Sequence, residues 1–456
     1  MMKAQEHARA QADIYRKQLR DLLRIPSIST DPVHAADVRR CASWLVDDFR
    51  RIGLQAEVIT TQRHPLVYAE WLEAGDDTPT VLIYGHYDVQ PARREDGWNS
   101  QPFEPIERDG KIYARGASDD KGQMFAHIKA VESILATEGK LPVNVKFILE
   151  GEEESGGDSI AAYVPQNTDK LKADMCLISD GGMPAIESPV IVTSLRGIIA
   201  LEIHVYGPSS DLHSGMYGGT VHNPLQALTE IISKLHDENG VITVPGFYDE
   251  VYQLTDEERA DVNYVAWTDE KWVEETGAPK PYGEPGYSLL ERIGTRPTLE
   301  INGLVGGYGG EGTKTVLPAK ATAKITCRLV AHQNPQRTFD CIQDYLAQIT
   351  PDTVKSEAVL LHQGDAAMVD SNDPAILAAV RAYEKAWGAK PYFRREGGSI
   401  PIVSGFQKHL NVPVILMGFG LNSDGLHAPN EHFTIEMFHR GIDTSIQYLY
   451  EVASTE

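Results

Sequence analysis

The stretch Thr80–Pro91, TVLIYGHYDVQP, decides the fold. Its first half is an unbroken apolar run rich in strand formers, the pattern of a strand covered on both faces. Its second half interrupts that run with His86 and Asp88, two groups that are costly in an apolar setting unless they find partners. An open α/β sheet offers a place for them, because ligands bind in the crevice beyond the carboxyl ends of its strands.

The same arrangement recurs along the chain. KIYARG leads into Asp119 and Asp120, VKFILEG ends in Glu152, Glu153 and Glu154, DMCLIS ends in Asp180, and VILMGFG leads within a few residues to His427. Taken singly, each has a plainer reading: an exposed histidine, a solvated acidic turn at EGEEES, a helix N-cap at SDD, a turn before GG. Taken together, five strand ends bring carboxylates and imidazoles to one sheet edge. Anions packed that closely repel, and a multivalent cation relieves the repulsion.

Composition bounds the rest. At 456 residues the chain exceeds the size at which one hydrophobic core keeps growing, so two domains are expected. With 42% hydrophobic and 23% charged residues it reads as an ordinary globular protein. The net charge of −23 argues against nucleic acid and anionic membrane as partners, since both need clustered positive charge. Cys41, Cys176, Cys327 and Cys341 are widely spaced and form no CxxC pair, which reads as buried thiols in a reducing compartment. With no apolar segment of signal-peptide or membrane-spanning type, the cytoplasm is the expected address.

An α/β pattern fills the first part of the chain, including a predicted amphipathic helix in KGQMFAHIKAVESILATEG with Phe125, Ile128, Val131 and Leu135 on one face and Gly139 as its stop. At Ser194 the texture changes. SLRGIIALEIHVYG alternates, with Ile199, Leu201, Ile203 and Val205 on one side, and is followed by the helix pattern NPLQALTEIISKLHD. A long irregular stretch from Gly240 to Pro318 precedes the strand AKATAKITCRLV, the helix PQRTFDCIQDYLAQI and the strand KSEAVLLH. Two helices with strands on one side predict a small α+β domain of split-βαβ type inserted into the larger one. The expected division is 1–195 and 363–456 for the main domain, with 196–362 inserted.

In order, the motifs GHYDVQP, ARGASDDKGQ, LEGEEESGG, ISDGG, DLHSGMYGG, KTVLP, REGGSIP and GLHAPNE span residues 85 to 431. The chain thereby resembles the co-catalytic metallopeptidases that include carnosinases, cytosolic non-specific dipeptidases, glutamate carboxypeptidase and acetylornithine deacetylase. It is most similar to the dipeptidase and carnosinase branch. The resemblance implies a zinc-exopeptidase-like catalytic domain with a mixed, mainly parallel sheet, interrupted by a ferredoxin-like lid and dimerisation domain.

It also implies site roles. Asp119 would bridge two divalent ions, with His86 and Asp180 completing one site and Glu154 and His427 the other. Asp88 would orient His86 through its second ring nitrogen. Glu153 would be the general base, free for a proton while Glu154 serves as ligand, with Glu152 the spare. His213 would act as oxyanion donor across a homodimer formed by the inserted domain. Thr315, Arg328 and Ser399 would bind the substrate, Arg328 through a fork geometry suited to a terminal carboxylate. Zinc is the first expectation for both ions, with manganese or cobalt as alternatives.

The chemistry implied is amide hydrolysis of dipeptides or other short peptides by a water whose pKa two ions lower from about 15.7 to near 7. An N-acyl amino-acid deacylase on the same scaffold is the alternative, and a metal-binding assembly protein without turnover is the third reading. GGYGGEGTKT near residue 310 is no phosphate loop, because Thr313 stands where lysine is required. EGGSIP lacks the geometry of a nucleophile elbow.

Overall fold

Thr80–His86 forms a strand, buried from Val81 onward, with parallel neighbours on both sides. This computed structural model describes residues 2–264, 267–398 and 400–454. The chain divides into two units: Met1–Thr193, Val369–Phe393 and Gly405–Glu456 form the first, Ser194–Met368 and Arg394–Ser404 the second.

In the first unit the sheet runs in the order Gln55–Ile59, Leu66–Trp71, Asn144–Glu150, Thr80–His86, Met175–Ile178, Val414–Leu416. The last four of these strands are parallel and the first two antiparallel, as is Val190–Leu195 on the far side of Val414–Leu416, giving a mixed sheet with a parallel centre, flanked by helices. Asn144–Glu150 is buried at every residue: Val145 and Phe147–Leu149 are apolar, and buried Lys146 donates to the Lys170 and Lys172 carbonyls at 2.7 and 2.8 Å. Register fixes the site: His86 stands opposite Glu150, Tyr84 opposite Ile178, and Ile178 opposite Leu416. The residues that follow each strand therefore emerge at one edge.

Helix Lys121–Glu138 ends at Gly139, whose left-handed conformation (φ 69°) stops it as expected. It is not amphipathic. Nearly every residue from Lys121 to Ile134 is buried, because the helix is packed by helices Lys3–Ala10 and Ile435–Ala453 as well as by strand Thr80–His86. Its buried lysines are satisfied inside: Lys129 Nζ lies 2.9 Å from Asp48 and 2.7 Å from Glu132, and Lys121 Nζ donates to the Ile25 carbonyl at 2.7 Å.

The second unit holds an antiparallel sheet in the order Thr298–Gly306, Lys320–Leu329, Gly197–Tyr206, Lys355–Gly364. With helices Pro224–Ile232 and Pro335–Ile349 this is the split-βαβ, ferredoxin-like arrangement. Gly197–Tyr206 alternates strictly, with Ile199, Leu201, Ile203 and Val205 in the core. One strand is new. Thr298–Gly306 lies inside the stretch read as irregular, where a register shift between Ile301 and Gly303 and an exposed edge hide its alternation.

Residues 394–404 belong to the inserted unit, not to the expected second part of the main domain. Arg395 explains this, since it pairs with Glu258 at 2.7 Å and its backbone abuts Gly294. Cys41, Cys176 and Cys327 are buried free thiols, whereas Cys341 is partly exposed. No helix among the described residues is long and apolar enough to cross a membrane.

Candidate metal centre

His86 ends its strand fully buried, with Nε2 3.0 Å from Asp119 Oδ1 and 3.7 Å from Asp180 Oδ2. The other oxygen of Asp119 lies 3.0 Å from His427 Nε2, which is 3.3 Å from Glu154 Oε2. Two donor groups result, His86/Asp119/Asp180 and Asp119/Glu154/His427, each with its ligand atoms within 4.8 Å of one another. Asp119 is the member common to both, one oxygen directed to each side.

The chain goes to some length to aim Asp119. The peptide between Asp119 and Asp120 is cis. Glu431, fully buried, accepts the backbone amides of Ser118 at 3.0 Å and Asp119 at 3.1 Å through Oε1, and those of Gly116 and the Arg115 guanidinium through Oε2. Ser118 Oγ donates to Asp424, and Gln123 donates to the Ser118 carbonyl while accepting the amides of Phe419 and Gly420. Gly122 permits the fold of this loop, since a Cβ there would sit 1.9 Å from the Ala117 carbonyl oxygen. His427 adopts a left-handed backbone (φ 58°), an uncommon conformation for a residue other than glycine.

Asp88 does more than the sequence indicates. His86 Nδ1 is nearest its backbone carbonyl, at 3.2 Å, and 3.4 Å from its carboxylate. The carboxylate itself accepts the amides of Glu153 at 3.2 Å and Glu154 at 3.1 Å, one on each oxygen. It thus ties the histidine of one donor group to the glutamate turn of the other. Glu152, the spare, is buried and accepts from the His64 amide, the Ser159 amide and the Ser159 hydroxyl. Gln90 donates to Glu154 at 2.7 Å.

Sequence reasoning missed Glu431, Asp424, Gln123 and Gln90 as supports. Glu431 stood in view as the last residue of GLHAPNE. Its task, accepting main-chain amides, leaves no spacing signature.

His213, Thr315 and Arg328 lie in the inserted unit. His213 pairs across a two-stranded ribbon with Val316, and the Ser214 amide donates to the Thr315 carbonyl, so His213 and Thr315 are neighbours. His213 is exposed, its Nδ1 accepting the Gly215 amide at 3.0 Å. Arg328 sits on the less buried face of Lys320–Leu329, opposite the core residues Ile325, Cys327 and Leu329. Ser399 lies outside the described residues.

The Peptidase family M20/M25/M40 model matches residues 82–451. The chain belongs to this family. It is 34% identical over 450 residues to the Cys-Gly metallodipeptidase dug1 of Schizosaccharomyces pombe, covering 94% of each chain. It is 32% identical to the human Beta-Ala-His dipeptidase, covering 97% of this chain and 90% of the relative. Among solved structures, the di-peptidase Dug1p of Saccharomyces cerevisiae superposes with a TM-score of 0.81 at 29% identity, over 99% of this chain and 98% of that one. Human carnosine dipeptidase 1 gives 0.80 at 31%, with the same coverage.

The electrostatics of this M20 peptidase fit a cation. Burial pushes the Asp180 carboxyl up to about 8, with Asp119, Glu153 and Glu154 adding to the rise against His86. Burial alone would lower His86, but its hydrogen bonds to Asp119 and Asp88 hold it well above the usual histidine range. Hydrogen bonds to Asp119 and Glu154 raise His427 to about 10. Three carboxylates converging with two imidazoles form a donor set of hard oxygens and borderline nitrogens suited to a small divalent metal. This is a metallopeptidase family with a candidate two-metal site.

Proposed function

We propose that this M20 enzyme hydrolyses the amide bond of dipeptides and other short peptides bearing a free C-terminal carboxylate. The observation that carries the reading is Asp119, whose two oxygens belong to two separate donor groups beside Glu153. Dipeptidase relatives covering nearly the whole chain support it, and favour it over N-acyl amino-acid deacylation.

In this reading His86, Asp119 and Asp180 hold one divalent ion, and Asp119, Glu154 and His427 the other. When bound, the pair polarises the scissile carbonyl and acidifies a water. Glu153 accepts the water's proton and delivers it to the departing amine. Burial pushes its carboxyl up, with Glu154 and Asp88 adding and His86 opposing, and a raised pKa suits a group that must both take and return a proton. Among the described residues its carboxylate makes no hydrogen bond, so it is available, while the Asp88 bond to its amide fixes where it starts.

His213 supplies the oxyanion donor from a second copy in a homodimer built through the inserted unit. Arg328, Thr315 and Ser399 receive the peptide's terminal carboxylate. Zinc is the resident ion, manganese or cobalt replacing it, and the cytoplasm the site of action. The test is a panel of dipeptides and N-acetyl or N-succinyl amino acids given to parent and Glu153→Gln enzyme. Dipeptide turnover should dominate and fall by about 10²- to 10⁴-fold in the variant. A stronger preference for the acylated compounds would overturn the reading. Mixing His213→Ala with Glu153→Ala protomers should restore activity, and failure to do so would refute sharing of the site.

A further inference from the structure

Arg196 has no part in the site proposed above, yet its backbone and side chain both bind the Gly397–Gly398 backbone. Its amide donates to the Gly398 carbonyl at 3.2 Å and its Nε to the Gly397 carbonyl at 2.9 Å. A Cβ on Gly397 would lie 2.6 Å from Ile293 Cγ2 and 3.1 Å from a terminal nitrogen of Arg196. Glycine stands there because Ile293 and the guanidinium close on bare backbone.

The same guanidinium has a cationic neighbour. Arg328 pairs in register with Ile198, two residues beyond Arg196, and all three groups lie in the inserted unit. Burial brings Arg196 down to about 10, with the charge of Arg328 adding to the fall and Glu300 and Glu396 opposing it. Like charges held together in a partly desolvated setting are unfavourable by themselves and become favourable when an anion is received between them. In a chain of net charge −23, two neighbouring arginines, one of them bonded to a glycine-glycine backbone, stand out.

We infer that Arg196 is a positioning residue of the carboxylate subsite: it clamps the Gly397–Gly398 backbone beside Arg328 and adds its charge to the field that draws the peptide's C-terminus. The inference rests on the dipeptidase reading. The ligand class is a short peptide with an ionised terminal carboxylate.

The experiment compares Gly-Leu with Gly-Leu amide on metal-loaded parent, Arg196→Gln and Gly397→Ala enzymes, recording kcat and KM separately. Arg196→Gln should raise KM for Gly-Leu about tenfold or more with kcat changed less than about threefold, and should erode the preference for acid over amide. A uniform loss on both substrates, or none, would overturn the inference by making Arg196 merely structural or idle. Should Arg196→Gln fail to fold, Gly397→Ala reads the same clamp: a selective rise in KM for the acid supports it, and parental selectivity refutes it. A parent that cleaves neither compound, or does not prefer the acid, refutes the underlying dipeptidase reading as well, whatever the variants do.

Discussion

The carboxylate of Asp88 accepts the backbone amide of Glu154 at 3.1 Å, so a residue two positions after one predicted metal ligand fixes the main chain of another. Its second oxygen takes the Glu153 amide, and its neighbour His86 turns Nδ1 toward the same residue. The two donor groups are therefore coupled through protein as well as through Asp119.

Removing that tie should loosen the site without emptying the fold. Asp88→Ala is expected to weaken divalent-ion binding by about 10- to 100-fold, the range typical for lost supports of metal ligands. Competition against a chromogenic chelator measures it. Asp88→Asn, which keeps one acceptor, should fall between parent and alanine.

Glu431 is the second support to probe. It is fully buried, pairs with Arg115 at 2.7 Å, and accepts the amides that aim Asp119. Glu431→Ala strands a buried guanidinium and those amides together, and should lower unfolding free energy by about 3–5 kcal/mol in chemical denaturation. A loss below 1 kcal/mol would mean that water or a rearranged loop satisfies them.

His127 predicts a pH effect. It is fully buried, its ring nitrogens 2.7 Å from Ser179 Oγ and 2.9 Å from Ser445 Oγ, and burial pushes its pKa down to about 3. The folded pKa lies below the unfolded value of about 6.5, so the unfolded state binds the extra proton between them. Stability is complete above about 6.5 and falls as pH drops, by about 1.4 kcal/mol per unit for this group. Relative to His127→Gln, the parent should lose stability at that slope from pH 6.5 toward 4.5. Parallel curves would contradict a neutral buried imidazole.

Much of this was readable beforehand because it rests on periodicity. Apolar runs such as VLIY in Thr80–His86 give buried parallel strands, and the polar residues that end or follow such strands, His86, Glu154 and Asp180, share an edge because the strands share a direction and register. The alternation from Ile199 to Val205 likewise sets the inserted sheet apart. What escaped was tertiary. The helical spacing of Phe125, Ile128, Val131 and Leu135 marks one face of Lys121–Glu138 and carries no sign that the opposite face is covered by helices Lys3–Ala10 and Ile435–Ala453. Strand Thr298–Gly306 is irregular and largely exposed, so no alternation marks it. Glu431 and Gln123 act on backbone amides far away in sequence, and a backbone amide has no letter in the sequence.

The most direct measurement is metal stoichiometry by elemental analysis on parent and Asp119→Ala protein, beside turnover of Gly-Leu by the same samples. The parent should carry two divalent ions per chain, one for each donor group, and the variant should lose tight binding of both along with hydrolysis. A variant that keeps both ions, or that cleaves Gly-Leu at the parental rate, would contradict a centre organised around Asp119.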